Sequence, residues 1–348
     1  MAEASDSIGV TGPGPKESNH DSEKAWIDIY SLELEFRNYL GESPFWMAET
    51  STVYWVDILK GTINSWHSTT GQTKIWDIKQ KVGCVVPVQG ETDIVLLASL
   101  KGIGLYDLRA KTWFHNYGDP EHKLLTNRWN DGKCGPDGRF WIGSMNHTDT
   151  EASIERGERD GSLYVLNGRE TNPCFRKQKG YIGISNGIAW SRDGSRMYFI
   201  DTPSQSVQEY EYRNRNSHNP LKLLNIDCIT IPKEDGAPDG CAMDMSDNLW
   251  IALWGGGAIQ QYSTATGEKL LSIDIGEKYP TSVAWIGVDL DMLFVTTAKG
   301  DTLTKILDDE NDAERRDTGQ NYIIDFSNCN VRGVPVSGFR MGHIDENV

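Results

Sequence analysis

Short apolar, aromatic or β-branched stretches recur along the chain, each behind a turn signal: Val53–Val56, Ile94–Ala98, Phe140–Gly143, Met197–Ile200, Leu249–Ala252 and Leu293–Thr297. Aligned on Trp55, Val95, Trp141, Tyr198, Trp250 and Leu293, they return every 40–57 residues or so, roughly the length of one four-stranded propeller blade. Several are followed by a second stretch that ends in a polar turn: Gly61–His67, Gly102–Tyr106, Gly161–Leu166, Ser206–Tyr212 and Gly257–Tyr262. No segment shows a long, capped pattern of helical period. The pattern therefore predicts an all-β chain, a six-bladed β-propeller with four-stranded blades over residues 26–348. Residues 1–25 are polar, rich in Gly, Pro and Ser and without periodicity, and read as a disordered tail. A Trp-Asp dipeptide with an upstream Gly-His does not repeat, so this is not a typical scaffold of that class.

A second regularity is polar. About 11–13 residues before the aligned position, four repeats carry a polar residue beside a small or turn-forming one. These are Gly41-Glu42-Ser43-Pro44, Asn130-Asp131-Gly132, Ser185-Asn186-Gly187 and Pro238-Asp239-Gly240. The second and sixth repeats have Val82-Gly83-Cys84 and Pro280-Thr281-Ser282 there, with no carboxylate. Blades are arranged radially, so equivalent positions on their innermost strands converge at one end of the central channel. Glu42, Asn130, Asp131, Asn186 and Asp239 would meet there, and crowded carboxylates and amide oxygens call for a cation. An oxygen-only set suits one hard divalent ion, Ca²⁺, Mg²⁺ or Mn²⁺, with Zn²⁺ compatible. Each position taken alone is equally a turn residue. Asp137-Gly138 and Asp193-Gly194 lie immediately before an aligned stretch and are assigned to hairpin turns.

Composition narrows the partners. With 34 Lys and Arg against 50 Asp and Glu, the net charge is −16, which argues against nucleic acid and anionic membranes. No apolar run approaches membrane-spanning length, and the first 30 or so residues lack the apolar core of a secretory signal. Six scattered cysteines form no CxxC pair, so the expectation is a cytoplasmic protein with reduced thiols and no obligate protein partner. The sequon Asn146-His147-Thr148 would go unused there.

Gly183-Ile184-Ser185-Asn186-Gly187 matches the nucleophile elbow of serine hydrolases, but that motif needs a strand–turn–helix setting. Here Ile188–Trp190 leads through a turn to another strand, so a serine nucleophile is set aside. No histidine pair has metal-ligand spacing. His20, His67, His115, His122, His218 and His343 read as surface residues, whereas His147 follows the third aligned stretch, near the channel mouth. Trp46, Trp190 and Trp254 sit near the polar positions, as packing first and substrate contact second.

At these residues the chain resembles the regucalcin (senescence marker protein), gluconolactonase and luciferin-regenerating enzyme family. The matching stretches are Gly41-Glu42-Ser43-Pro44-Phe45-Trp46, Asn127-Arg128-Trp129-Asn130-Asp131-Gly132-Lys133, Ile184-Ser185-Asn186-Gly187, Pro238-Asp239-Gly240-Cys241 and Val331-Arg332-Gly333-Val334-Pro335. The resemblance implies a propeller with one divalent metal on its axis, held by Glu42, Asn186 and Asp239. It also implies that Arg128 and Asn130 bind substrate and that Asp131 is a buried neighbour of the metal shell. His147 stands nearest the place where regucalcin-like members have an acidic substrate-binding residue, which sets this chain's specificity apart. The charged segment Asn146–Arg159 is a candidate lid.

The implied activity is hydrolysis of a small lactone of the sugar aldono-lactone type. Asp239 would accept the proton of the attacking water, and Arg128, Asn130 and His147 would bind the ring. Two alternatives stand beside it: a non-catalytic calcium-binding propeller, and a hydrolase of a specialised-metabolite lactone or ester.

Overall fold

The computed structural model describes residues 26–148, 150–212, 220–300 and 318–342. The tail over residues 1–25 and the histidines His20, His218 and His343 lie outside them. All six apolar stretches are second strands of four-stranded antiparallel sheets: β3 (Thr52–Asp57), β7 (Ile94–Ser99), β11 (Phe140–Asn146), β15 (Arg196–Asp201), β19 (Asn248–Trp254) and β23 (Met292–Thr297). They read as unbroken apolar runs because neighbouring sheets cover both of their faces. Trp55, Trp141 and Trp250, one in each of three blades, are fully buried.

The first strands are β2 (Gly41–Met47), β6 (Val82–Pro87), β10 (Asn127–Cys134), β14 (Ser185–Trp190), β18 (Ala237–Met243) and β22 (Pro280–Ile286). Each touches the next in order and β22 returns to β2, so these six line the axis. The third strands are β4 (Thr62–His67), β8 (Gly102–Asp107), β12 (Gly161–Leu166), β16 (Ser206–Tyr212), β20 (Ala258–Ser263) and β24 (Asn321–Asp325). The outer strands are β5 (Thr73–Asp77), β9 (Thr112–Gly118), β13 (Phe175–Ile182), β17 (Leu221–Thr230) and β21 (Lys269–Asp274).

In the sixth blade the outer place is taken by β1 (Asp28–Leu32), which pairs with β24 from Asp28 opposite Asp325 to Leu32 opposite Asn321. The ring is thus closed by strands from opposite ends of the described chain. The Asp137-Gly138 and Asp193-Gly194 turns sit between first and second strands, with Gly138 at φ 79° and Gly194 at φ 68°.

Inner strands approach closely because small residues occupy the contact points. A Cβ at Gly83 would lie 2.1 Å from the backbone oxygen of Trp129, and one at Gly240 would lie 2.1 Å from Ser282 Oγ. At the far ends of the inner strands, residues 333–342 cross the base. Val334 N–H donates to Met243 O, Phe339 N–H to Pro87 O and Gly342 N–H to Gly168 O, at 3.0, 2.8 and 2.7 Å. A cavity of about 110 Å³ lies beneath this strap, walled by Trp46, Trp190 and Trp285.

Candidate active site

Each polar motif sits in a β-bulge at the start of an inner strand. The ladder slips between Glu42 and Phe45, between Trp129 and Gly132, between Ser185 and Ile188, and between Pro238 and Cys241. A bulge leaves one or more residues unpaired and re-aims their side chains. The bulged residues include Asn130, Asp131, Asn186 and Asp239, and Glu42 begins the first bulge. In the second and sixth blades the slip is shorter and passes Gly83 and Thr281.

Ser43 holds the first bulge in left-handed conformation at φ 51°, a cost of about 1–2 kcal/mol for a residue with a Cβ. Its N–H donates to Glu42 Oε2 at 3.0 Å, and its hydroxyl both donates to Val85 O and accepts from Val85 N–H, tying blade one to blade two.

Hydrogen bonds link the third, fourth and fifth blades. Asn130 Nδ2 donates to Asn186 Oδ1 at 3.0 Å and to Ser185 O at 2.8 Å. Asn186 Nδ2 donates to Thr202 Oγ1, and Thr202 Oγ1 donates to Pro238 O, both at 2.8 Å. Pro238 precedes Asp239, so this chain fixes the amide oxygen of Asn186 and the backbone that carries Asp239. Arg128 Nη1 donates to Asn130 Oδ1 and to Trp129 O. From the third blade Lys133 reaches across, its Nζ donating to Cys241 O at 2.7 Å.

Glu42, Asn186 and Asp239 are only 4%, 4% and 6% exposed, yet two of them are acids. Burial, then the neighbouring Asp131, pushes the Glu42 carboxyl up to about 8, against a smaller downward pull from Arg128. Burial, then Glu42 and Asp131, holds Asp239 well above the usual carboxylate range. Asp239 Oδ1 is buried with no hydrogen-bond partner among the described residues. Burial also raises Asp131, whose Oδ1 accepts the Gly132 N–H at 2.7 Å. Arg128 is pulled down to about 10 by burial, with Glu42 and Asp239 opposing.

Glu42, Arg128, Asn130, Asp131, Asn186 and Asp239 therefore share one network. His147 joins at its rim: it follows β11, is half-buried, and has its imidazole lowered by burial and by Lys81 and Arg128. No group of three or more His, Cys, Asp or Glu side chains with metal-site grouping occurs among the described residues; the trio here is two carboxylates and an amide.

Ser185 lies within β14 with no helix after it, and a Cβ on Gly143 would lie 1.7 Å from its Oγ, so it has no elbow geometry. Trp46 and Trp190 line the basal cavity beneath the strap, together with Pro44 of the first bulge, and Trp254 packs on Tyr279 at 4.9 Å. The segment Asn146–Arg159 contains a short helix, Thr150–Glu155, and is anchored by Arg159 Nη1 donating to Asp201 Oδ2 at 3.1 Å.

Thr202, Lys133 and Lys81 escape a sequence reading that looks for carboxylates at one phase of the repeat. Thr202 could have been found at a second phase, one residue past the second strand, which the ladder sets opposite the start of the inner strand.

Comparison with known proteins agrees with this architecture. Residues 40–299 match the family model described as the SMP-30/Gluconolactonase/LRE-like region. The chain is 33% identical to "Putative sugar lactone lactonase YvrE" of Bacillus subtilis over 77% of its own length and 86% of that protein. It is 30% identical to "Pentonolactonase XacC" of Haloferax volcanii, over 75% of this chain and 82% of the relative. A solved luciferin-regenerating enzyme superposes with a TM-score of 0.78 at 27% identity, over 90% of this chain and 99% of that one. A match across most of the chain, together with the six-bladed ring, places this protein in the SMP-30/gluconolactonase/LRE-like family.

Proposed function

We propose that the chain hydrolyses a small lactone to its hydroxy acid, with Glu42, Asn186 and Asp239 holding one divalent cation. The observation that carries this is Asp239 Oδ1, a buried carboxylate oxygen with no partner beside a second buried carboxylate. Such a pair is costly unless a cation or protons neutralise it. The donors are all oxygen, so they fit a hard divalent ion. When bound, the ion would polarise the ring carbonyl and acidify water. The names of the lactonase relatives support the same reaction class.

The remaining chemistry falls to this chain's own side chains. Asp239 accepts a proton from water as the water oxygen bonds to the ring carbonyl carbon. The ring C–O bond then breaks, and the proton passes to the departing alkoxide. Arg128, held by Asn130, donates to the ring substituents or carbonyl, and Asn130 in turn keeps Asn186 Oδ1 oriented. Asp131 is assigned no proton transfer here; its Oδ1 accepts the Gly132 N–H, and its charge bears on Glu42 and Asp239.

Metal analysis of the purified protein, paired with a panel of aldono-lactones followed by acid release, tests the reading. Acid release that needs Ca²⁺, Mg²⁺, Mn²⁺ or Zn²⁺ is expected; full activity in protein verified as metal-stripped overturns it. In the same assay Arg128→Ala should raise KM by about 10–100-fold with a smaller change in kcat, the loss expected for a charged hydrogen-bond donor that binds ground and transition states alike.

A further inference from the structure

The rim of the site carries a cation that the reaction does not use, Lys81, with the His147 imidazole beside it. Lys81 immediately precedes β6, and its backbone oxygen accepts the Leu100 N–H at 3.2 Å. His147 immediately follows β11, and its N–H donates to Thr126 O at 2.8 Å. The ladder sets Arg128 opposite Met145 and Asn127 opposite Asn146, so it sets Thr126 opposite His147. Arg128 and His147 are thus diagonal neighbours on one face of the third blade, a separation that long side chains span. Lys81 joins them from the second blade across the close β6–β10 contact at Gly83.

The charges that bear on these groups agree with this placement. Arg128 lowers Lys81, and Lys81 and Arg128 together lower His147, in each case after burial. Among the described residues the Lys81 ammonium has no hydrogen bond or ion pair, and the His147 imidazole meets its own backbone. Of the other cations, Lys133 is bonded to Cys241 O and Arg159 is paired with Asp201. On a chain of net charge −16, a half-buried ammonium with no counter-charge is a local exception. Glu42 and Asp239 do not cancel it, because on the reading above the divalent ion balances that pair, and the charge of Asp131 is met by Lys133.

We infer that Lys81, His147 and Arg128 form an anion subsite at the boundary of blades two and three, which selects lactones bearing a carboxylate or phosphate away from the ring carbonyl. The inference rests on the lactonase reading and adds the substrate class. The ester would sit over Glu42, Asn186 and Asp239, while the anionic end lies toward blades two and three.

The test compares kcat/KM for neutral D-glucono-1,5-lactone with that for its 6-phospho derivative and for D-glucaro-1,4-lactone, which separate phosphate from carboxylate. At least one anionic lactone should be preferred, and Lys81→Met should lower its advantage about tenfold, whereas Lys81→Arg should keep it. Raised ionic strength should erode the preference in the wild type. Equal use of neutral and anionic lactones, or a ratio unmoved by Lys81→Met, overturns the subsite while leaving lactone hydrolysis standing. If no lactone is hydrolysed, the lactonase reading fails, and calorimetric titration with D-glucarate and D-gluconate decides the subsite alone. Tighter glucarate binding that Lys81→Met abolishes supports it, and equal binding overturns it.

Discussion

Asp239→Ala is expected to lower lactone turnover by about a thousandfold or more, the scale on which a positioned proton acceptor acts. The same substitution should erase the stabilisation conferred by the cation. For wild-type protein at a cation concentration 100 times Kd, that stabilisation is about 2.7 kcal/mol. In a chain of this size it corresponds to a rise in Tm of about 4 °C. The sharper expectation concerns metal-free protein. Asp239 is buried beside Glu42 and Asp131, both of which disfavour its charge. Asp239→Asn keeps the shape and removes one member of that repelling set, so in chelator it should melt at or above the wild type. Scanning calorimetry with and without cation reads both effects. A variant that keeps its cation-induced shift, or its turnover, would remove Asp239 from the site.

Gly83→Ala should be among the most damaging substitutions by a single methyl. The added carbon would stand 2.1 Å from the Trp129 backbone oxygen and 2.5 Å from its carbon. No side chain can swing aside there, so blades two and three must separate. The expected loss is about 3 kcal/mol, at the upper end for overpacking, with disturbed placement of Arg128 and Asn130 on the same strand. Gly180→Ala in β13 is the control: its nearest heavy atom is Lys177 Nζ at 3.8 Å, and a change within about 0.5 kcal/mol is expected. Urea unfolding of the two variants measures the difference, and equal midpoints would refute the close-contact argument.

The two substitutions also show which parts of the protein could be read from its residues. Second strands such as Phe140–Asn146 are covered on both faces, so their apolar runs announce them. The polar phase was visible because the bulges recur at one place in the repeat, and a bulge needs small or turn-forming neighbours such as Gly132, Gly187 and Gly240. Outer strands leave weaker traces. Leu221–Thr230 is mostly exposed and mixes leucine with lysine, asparagine and aspartate. Closure by Asp28–Leu32 left none, because no local pattern encodes a partner so distant along the chain. Lys81 is illegible for another reason: it lies just outside a strand, and only the ladder reveals what it faces. Trp46 misleads by proximity, since it is four residues from Glu42 yet walls the cavity beneath the strap of residues 333–342.

The pairing of β1 with β24 also bears on how the molecule is made. Asp28–Leu32 emerges from the ribosome about 290 residues before its partner, a delay of roughly 15–60 s at ordinary elongation rates. Over that interval five blades can form in order, but the nascent ring stays open, with an unpaired strand at its leading end and bare sheet faces at the gap. Such edges recruit other chains. Yield in the cell should therefore depend on how well that early segment is shielded until translation ends, a demand that the finished ring no longer shows.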